Sequence, residues 1–299
     1  MHSDDALTEV ERPLAHLLEA TKQTALVRLY GNPAVHRLLP TPIALRLAAL
    51  RGWTESRLSR GRLEAARRDL ETLLGKPVDE RAARRRVVDE AVRTELQWRP
   101  WLDRRLEIDG LEHLEQARTD RRGVILASAH LGPFLALVRA LAARGTKVYL
   151  AGGHRLGEPG LDGRVGRWVV AHNRWVEEAG CRWVRKPGSY VVLRELLRRG
   201  DVVWMAGDAR GTTETVLAGH PVRVGSGVGR LAVETGAVVI PAFVVRRGYR
   251  QIGLLLPPLA PSDDPQEITD RLATVLGEIA LAHPEQAHDR LIGLIRREP

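Results

Sequence analysis

The chain has 299 residues, 44% of them hydrophobic but only 4% aromatic, so it can bury a sizeable aliphatic core. A single cysteine, Cys181, excludes an internal disulfide and a multi-cysteine zinc site, and no apolar run reaches the roughly 18 residues that a membrane-spanning helix needs. The net charge of +9 comes from 46 Lys plus Arg, almost all Arg, which suits pairing with phosphate or carboxylate, although a GC-rich genome also raises the Arg content.

The amino terminus, Met-His-Ser-Asp-Asp, lacks the basic and apolar segments of a signal peptide, so a cytoplasmic product is expected. Residues 1–120 read as a helical arm. Apolar positions recur at helical spacing in Ala6–Tyr30, Pro42–Leu50, Ser59–Leu74 and Glu80–Trp101. Trp98 and Trp101 are expected to pack inside this arm. Arg57, Arg60 and Arg68 fall near one helix face, a solvated face by default and a surface for anionic lipid or RNA otherwise.

Residues 121–299 read as an α/β core continuous with the arm, with no linker between the two. Strands are expected at Val124–Ser128, Lys147–Ala151, Arg182–Arg185, Val202–Ala206, Val238–Arg246 and Ile252–Leu256. Helices are expected at Pro133–Arg144, Gly163–Glu178, Tyr190–Arg199, Gly227–Thr235 and Pro265–Ala282, with Gly145, Gly180, Gly200 and Gly236 as stops. This alternation predicts a mixed, mostly parallel central sheet flanked by helices. Cys181 begins a strand and is expected to be a packed thiol.

Three clusters carry chemistry. Gly123-Val-Ile-Leu-Ala-Ser-Ala-His130 is a buried strand that ends in an imidazole beside a helix start, where α/β folds place reactive groups. A lone histidine there is more often structural, so its neighbours decide. Gly200-Asp-Val-Val-Trp-Met-Ala-Gly-Asp208-Ala-Arg210-Gly211 repeats the design with a carboxylate and a guanidinium. Two parallel strands that end in His130 and Asp208 bring imidazole and carboxylate to one sheet edge, whereas Asp208 taken alone reads equally as a turn or cap. The third cluster, Gly219 to Arg230, holds Arg223, Ser226 and glycines before a helix. Backbone N–H groups there are free for an oxyanion or phosphate, or the glycines serve helix packing.

The order of these features resembles the late lipid A acyltransferases of the lysophospholipid acyltransferase superfamily, from about Ala65 to Leu291. Ala65 to Leu74 is similar to the family's Arg-Asn-Leu helix, and Gly123 to Phe134 to its Gly-Val-Ile-Leu-x-x-x-His-x-Gly block. Asn173 to Gly180, Val203 to Gly211, Val224 to Pro241 and His283-Pro-Glu285-Gln286 follow in the family's order. The resemblance implies a histidine base in His-x4-Asp/Glu that activates an acceptor toward an acyl thioester. His130 matches the base, but position 135 is Leu135 and Pro133 to Arg139 holds no carboxylate.

Three consequences compete. Another carboxylate orients the imidazole, Asp208 first and Glu214 second; or His130 works alone on an amine-like acceptor; or the chain binds ligands without catalysis. Substrate binding is expected from Arg155, Arg174, Arg210, Gly211, Arg223 and Ser226. Arg155 follows His154 after a strand, and with Arg164, Arg174 and Lys186 it would form an anion funnel. Glu285 and Gln286 are expected to be structural supports. No metal and no bound cofactor are expected. The co-substrate would be acyl-CoA, acyl carrier protein or, in an alternative that rests on charge, an aminoacyl-tRNA; the acceptor would be a small molecule or a lipid, with peripheral contact at the inner membrane face. A non-catalytic lipid- or partner-binding protein is the remaining alternative.

Overall fold

The computed structural model describes residues 36–152, 172–185 and 188–296. The helix expected over Ala6–Tyr30, and most of that over Gly163–Glu178, therefore lie outside the described residues. Of the latter, residues 172–178 are helical.

The arm consists of α1 (Thr41–Leu58), α2 (Arg60–Leu74) and α3 (Glu80–Gln97), followed by a 3-10 turn at Pro100–Arg105. Local chemistry sets these ends. Ser59 accepts a hydrogen bond from the Arg62 N–H at the start of α2, and Asp79 accepts one from Ala82 at 2.7 Å at the start of α3. Gly75 closes α2 in the left-handed region with φ +63°. Arg99, 1% exposed, grips Glu95 at 2.8 Å and the Leu39 carbonyl at 3.1 Å, which pins the start of the described chain to the end of α3.

The remaining elements are β1 (Glu107–Asp109), α4 (Leu111–Thr119), β2 (Val124–Ser128), α5 (Leu135–Ala143), β3 (Val148–Ala151), β4 (Arg182–Val184), α6 (Ser189–Arg198) and β5 (Val202–Ala206). They continue with β6 (Arg210–Leu217), β7 (His220–Val224), α7 (Gly227–Thr235), β8 (Val238–Arg247), β9 (Arg250–Leu255), α8 (Pro265–Ala282) and α9 (Asp289–Ile295). The central sheet has seven strands in the order β1-β9-β8-β2-β5-β3-β4. All its pairs are parallel except β8 with β9. This is the mixed, mostly parallel α/β sheet expected from the alternation of elements.

β2, β5, α7 and α8 match their expected bounds, and all four expected glycine stops have positive φ. Two features differ. β1 precedes residue 121 yet joins the sheet through β9, because its Glu-Ile-Asp segment is too short and polar to read as a strand. The segment Arg210 to Val224, where no strand was expected, is a β-hairpin turned by Ala218 and Gly219 at φ +53° and +83°, the left-handed pair that tight hairpins favour.

Two apolar cores cover the sheet. One face packs Ile125, Val203 and Val239 with α6, α7, α8 and α9; the other packs Leu126, Trp204 and Ile240 with α4 and α5. β2 is fully buried on both faces, as its unbroken Val-Ile-Leu-Ala run demands. Among the described residues no helix is long and apolar enough to cross a membrane.

Candidate active site

β2 and β5 run parallel in exact register, with Ser128 opposite Ala206. Two residues further on each strand stand His130 and Asp208. The Gly207 N–H donates to the Ser128 carbonyl at 2.7 Å and extends the pairing past the strand ends. Asp208 Oδ1 lies 2.8 Å from His130 Nδ1, and Asp208 Oδ2 accepts the His130 backbone N–H at 2.8 Å. The carboxylate is fully buried at its side chain, the imidazole 16% exposed. A carboxylate oxygen accepts hydrogen bonds, so in the neutral imidazole this contact selects the tautomer with the proton on Nδ1 and the lone pair on Nε2.

The loop after His130 is clamped from the carboxyl-terminal side. His288 N–H donates to the His130 carbonyl at 2.9 Å, and His288 Nε2 donates to the Gly132 carbonyl at 2.8 Å. Gly132 has φ +56°, and a Cβ there would stand 2.2 Å from the Val244 carbonyl oxygen, so glycine is required. Burial, together with the nearby guanidinium of Arg93, holds the His288 pKa well below its ordinary value and keeps the ring neutral. Phe134 meets the His130 ring edge-on at 5.1 Å and stacks on Trp204 at 5.7 Å.

His130 and Asp208 open on a cavity of about 1250 Å³ over the carboxyl ends of β2, β3, β4 and β5. Its apolar wall draws on both cores: Leu193, Met205, Val228, Leu231 and Leu294 from the first, and Phe134, Leu135, Trp183 and Trp204 from the second. Arg86, Arg93, Arg210 and Arg290 also line it. A separate cavity of about 650 Å³ lies at the amino ends of the strands, near Arg122 and Val238, with neither His130 nor Asp208 in its wall.

The expected residues divide as follows. Asp208, the first choice of partner carboxylate, contacts His130, and Arg210 lines the same cavity. Glu214 lies on the exposed β6–β7 hairpin, where it takes Arg223 at 2.8 Å, and neither residue lines the cavity. Gly211 packs against Val224 and Gly225, where a Cβ would stand 2.4 Å from the Val224 carbonyl, so it closes the hairpin onto the loop. Ser226 is the residue before α7 and makes no side-chain cap, and Gly225 and Gly227 beside it line the cavity. Arg174 is solvent-facing and paired with Glu178 at 2.6 Å. His154, Arg155, Arg164 and Lys186 lie outside the described residues.

Leu135, where the resemblance places an acid, is buried in the second core and borders the cavity. Gln286 is a fastener: its side chain accepts from the Arg246 N–H and donates to the Arg246 carbonyl, both at 2.8 Å. Burial pushes the Cys181 thiol up to about 12, and it donates only to the Val138 carbonyl. Sequence reading missed His288, Trp204 and Arg93. The one available signal was the position of His288 two residues after Pro-Glu-Gln.

Residues 30–288 match the model of a family described as bacterial lipid A biosynthesis acyltransferase. Over 283 aligned residues the chain is 26% identical to the lipid A biosynthesis lauroyltransferase of Escherichia coli (strain K12), a match that covers 83% of this chain and 84% of that protein. With the dyad at the strand ends and the family match over most of its length, the chain belongs to the bacterial lipid A biosynthesis acyltransferases and is an acyl-transferring enzyme.

Proposed function

We propose that this enzyme moves an acyl group from a coenzyme A or acyl carrier protein thioester to a hydroxyl or amine acceptor, with His130 as general base and Asp208 as its orienting carboxylate. The observation that carries this reading is the double contact between Asp208 and His130, both at 2.8 Å, at the opening of an apolar cavity. His130 Nε2 takes the acceptor proton as the acceptor oxygen or nitrogen bonds to the thioester carbonyl carbon. The carbon–sulfur bond then breaks, and the imidazolium returns that proton to the departing thiolate. Asp208 stays ionised and stabilises the transient imidazolium.

The aliphatic lining residues Leu193, Met205, Val228, Leu231 and Leu294 suit the acyl chain. The exposed apolar side chains Ile43, Leu47, Leu50 and Trp53 on α1 support docking at a lipid surface, which favours a lipid acceptor. The test is transfer of radiolabelled acyl groups from acyl-CoA and acyl carrier protein to extracted lipid. His130→Ala is expected to lose about 10²- to 10⁴-fold in rate with the fold retained. A folded His130→Ala variant that transfers at the wild-type rate would remove the base assignment.

A further inference from the structure

Arg86, Glu90 and Arg93 recur on α3 at spacings of four and three, and all three line the cavity. The first two are committed. Arg86 donates to the Ala287 carbonyl at 2.7 Å and to Asp69 at 2.9 Å, and Glu90 accepts Arg62 at 3.0 Å. Arg93 makes no hydrogen bond or ion pair with any described residue, and its Nε is enclosed without an acceptor.

The nearest carboxylates do not compensate it. Glu90 and Asp289 attract Arg93 at longer range, but Arg62 holds the first and Arg86 lies 3.5 Å from the second. Arg86 adds like-charge repulsion, and burial lowers the Arg93 guanidinium to about 10, which still leaves it charged at neutral pH. A half-buried guanidinium with its Nε enclosed and no hydrogen-bonded partner is costly, and an anion that arrives with the substrate removes that cost. The guanidinium fork matches a tetrahedral oxyanion. His288, whose ring centre is 6.5 Å from that of His130, borders the same cavity, so an anion there would lie beside the reacting groups.

We propose that Arg93 is an anion-binding residue of the substrate site and takes a phosphate ester that the substrate carries into the cavity beside His130. The identity of that ester rests on the acyl-transfer reading, which offers two sources: the phosphopantetheine arm of the donor, or a phosphorylated acceptor.

The test is calorimetric titration of wild type, Arg93→Gln, Arg93→Lys, His130→Ala and Arg223→Gln with inorganic phosphate. S-dodecyl-pantetheine and S-dodecyl-4′-phosphopantetheine follow as unreactive donor mimics. Phosphate is expected to bind wild type, His130→Ala and Arg223→Gln alike, and Arg93→Gln about tenfold or more weakly. Equal binding to His130→Ala keeps this result separate from the fate of the general-base reading. If the mimic with phosphate binds wild type more tightly than the one without, and Arg93→Gln abolishes the difference, the ester belongs to the donor. If both mimics bind equally while inorganic phosphate still depends on Arg93, it belongs to the acceptor. Phosphate binding unchanged in Arg93→Gln, or absent from wild type, overturns the proposal. Should Arg93→Gln not fold, Arg93→Lys decides, because loss of the fork must still weaken phosphate binding.

Discussion

Asp208 holds His130 at two points, the ring through Oδ1 and the backbone N–H through Oδ2, and it does so from the neighbouring strand rather than from the helix that follows the histidine. One carboxylate thereby fixes both the position and the tautomer of the imidazole. Asp208→Asn preserves size but supplies only one acceptor oxygen, so either the ring or the backbone contact is lost. The expected outcome is a fall of about 10²- to 10⁴-fold in kcat with little change in KM. Steady-state kinetics beside far-ultraviolet circular dichroism checks it, and a folded variant of full activity would refute the orienting role.

Leu135→Glu places a carboxylate where the family resemblance expects one. The site cannot use it well. Leu135 is buried in the same core as Phe134, Val138 and Trp204, so an acid there loses its hydration. The variant is expected to lose at least about 2 kcal/mol of stability, read as a lower urea midpoint. Combined with Asp208→Asn, it is expected to leave activity at the level of Asp208→Asn alone. Recovery in the double variant would mean that the partner position is interchangeable.

Much of this arrangement was legible in the sequence for a physical reason. β2 and β5 are unbroken apolar runs that need burial on both faces, and each ends two residues before a polar group, so a parallel pairing in register sets His130 against Asp208. Glycine stops fixed the helix ends because only the left-handed backbone closes them without strain. The hairpin was not legible, since Thr212 to Val216 alternates on a half-exposed ribbon without a buried face to demand it. His288 and Arg93 were equally hidden. Their approach to His130 depends on α3 and the carboxyl-terminal segment docking from 37 or more residues away in sequence, and no local pattern encodes that docking.

His288 gives stability a defined pH dependence. Its folded pKa is depressed by burial and by Arg93, whereas the unfolded side chain takes a proton near pH 6.5. Below that value the unfolded chain binds a proton that the folded chain refuses, so stability is full above about pH 6.5 and falls as pH drops toward the folded pKa. The slope reaches about 1.4 kcal/mol per pH unit for one such group, and His283, also depressed by burial, adds in the same direction. His288→Gln keeps a donor for the Gly132 carbonyl and removes the titration. Urea unfolding between pH 7 and 5 is expected to show a shallower loss for the variant; parallel curves would mean that His288 protonates in place.

The last relationship lies away from the cavity, where Arg139 of α5 donates to Asp103 at 2.5 Å with both side chains almost fully buried. Burial pushes Asp103 up to about 6 although Arg139 pulls it down, so desolvation outweighs the attraction. Arg139 Nη1 also has no hydrogen-bond partner among the described residues. A pair of this kind holds α5 to the 3-10 turn at Pro100–Arg105 at a net cost that the rest of the core carries. Asp103→Ala leaves a buried cation and is expected to destabilise by about 3 to 5 kcal/mol. Asp103→Leu combined with Arg139→Met removes both charges and is expected to be close to neutral or stabilising. Urea midpoints of wild type and the two variants decide between these outcomes. A double variant as unstable as Asp103→Ala would show that the pair contributes net stability rather than position.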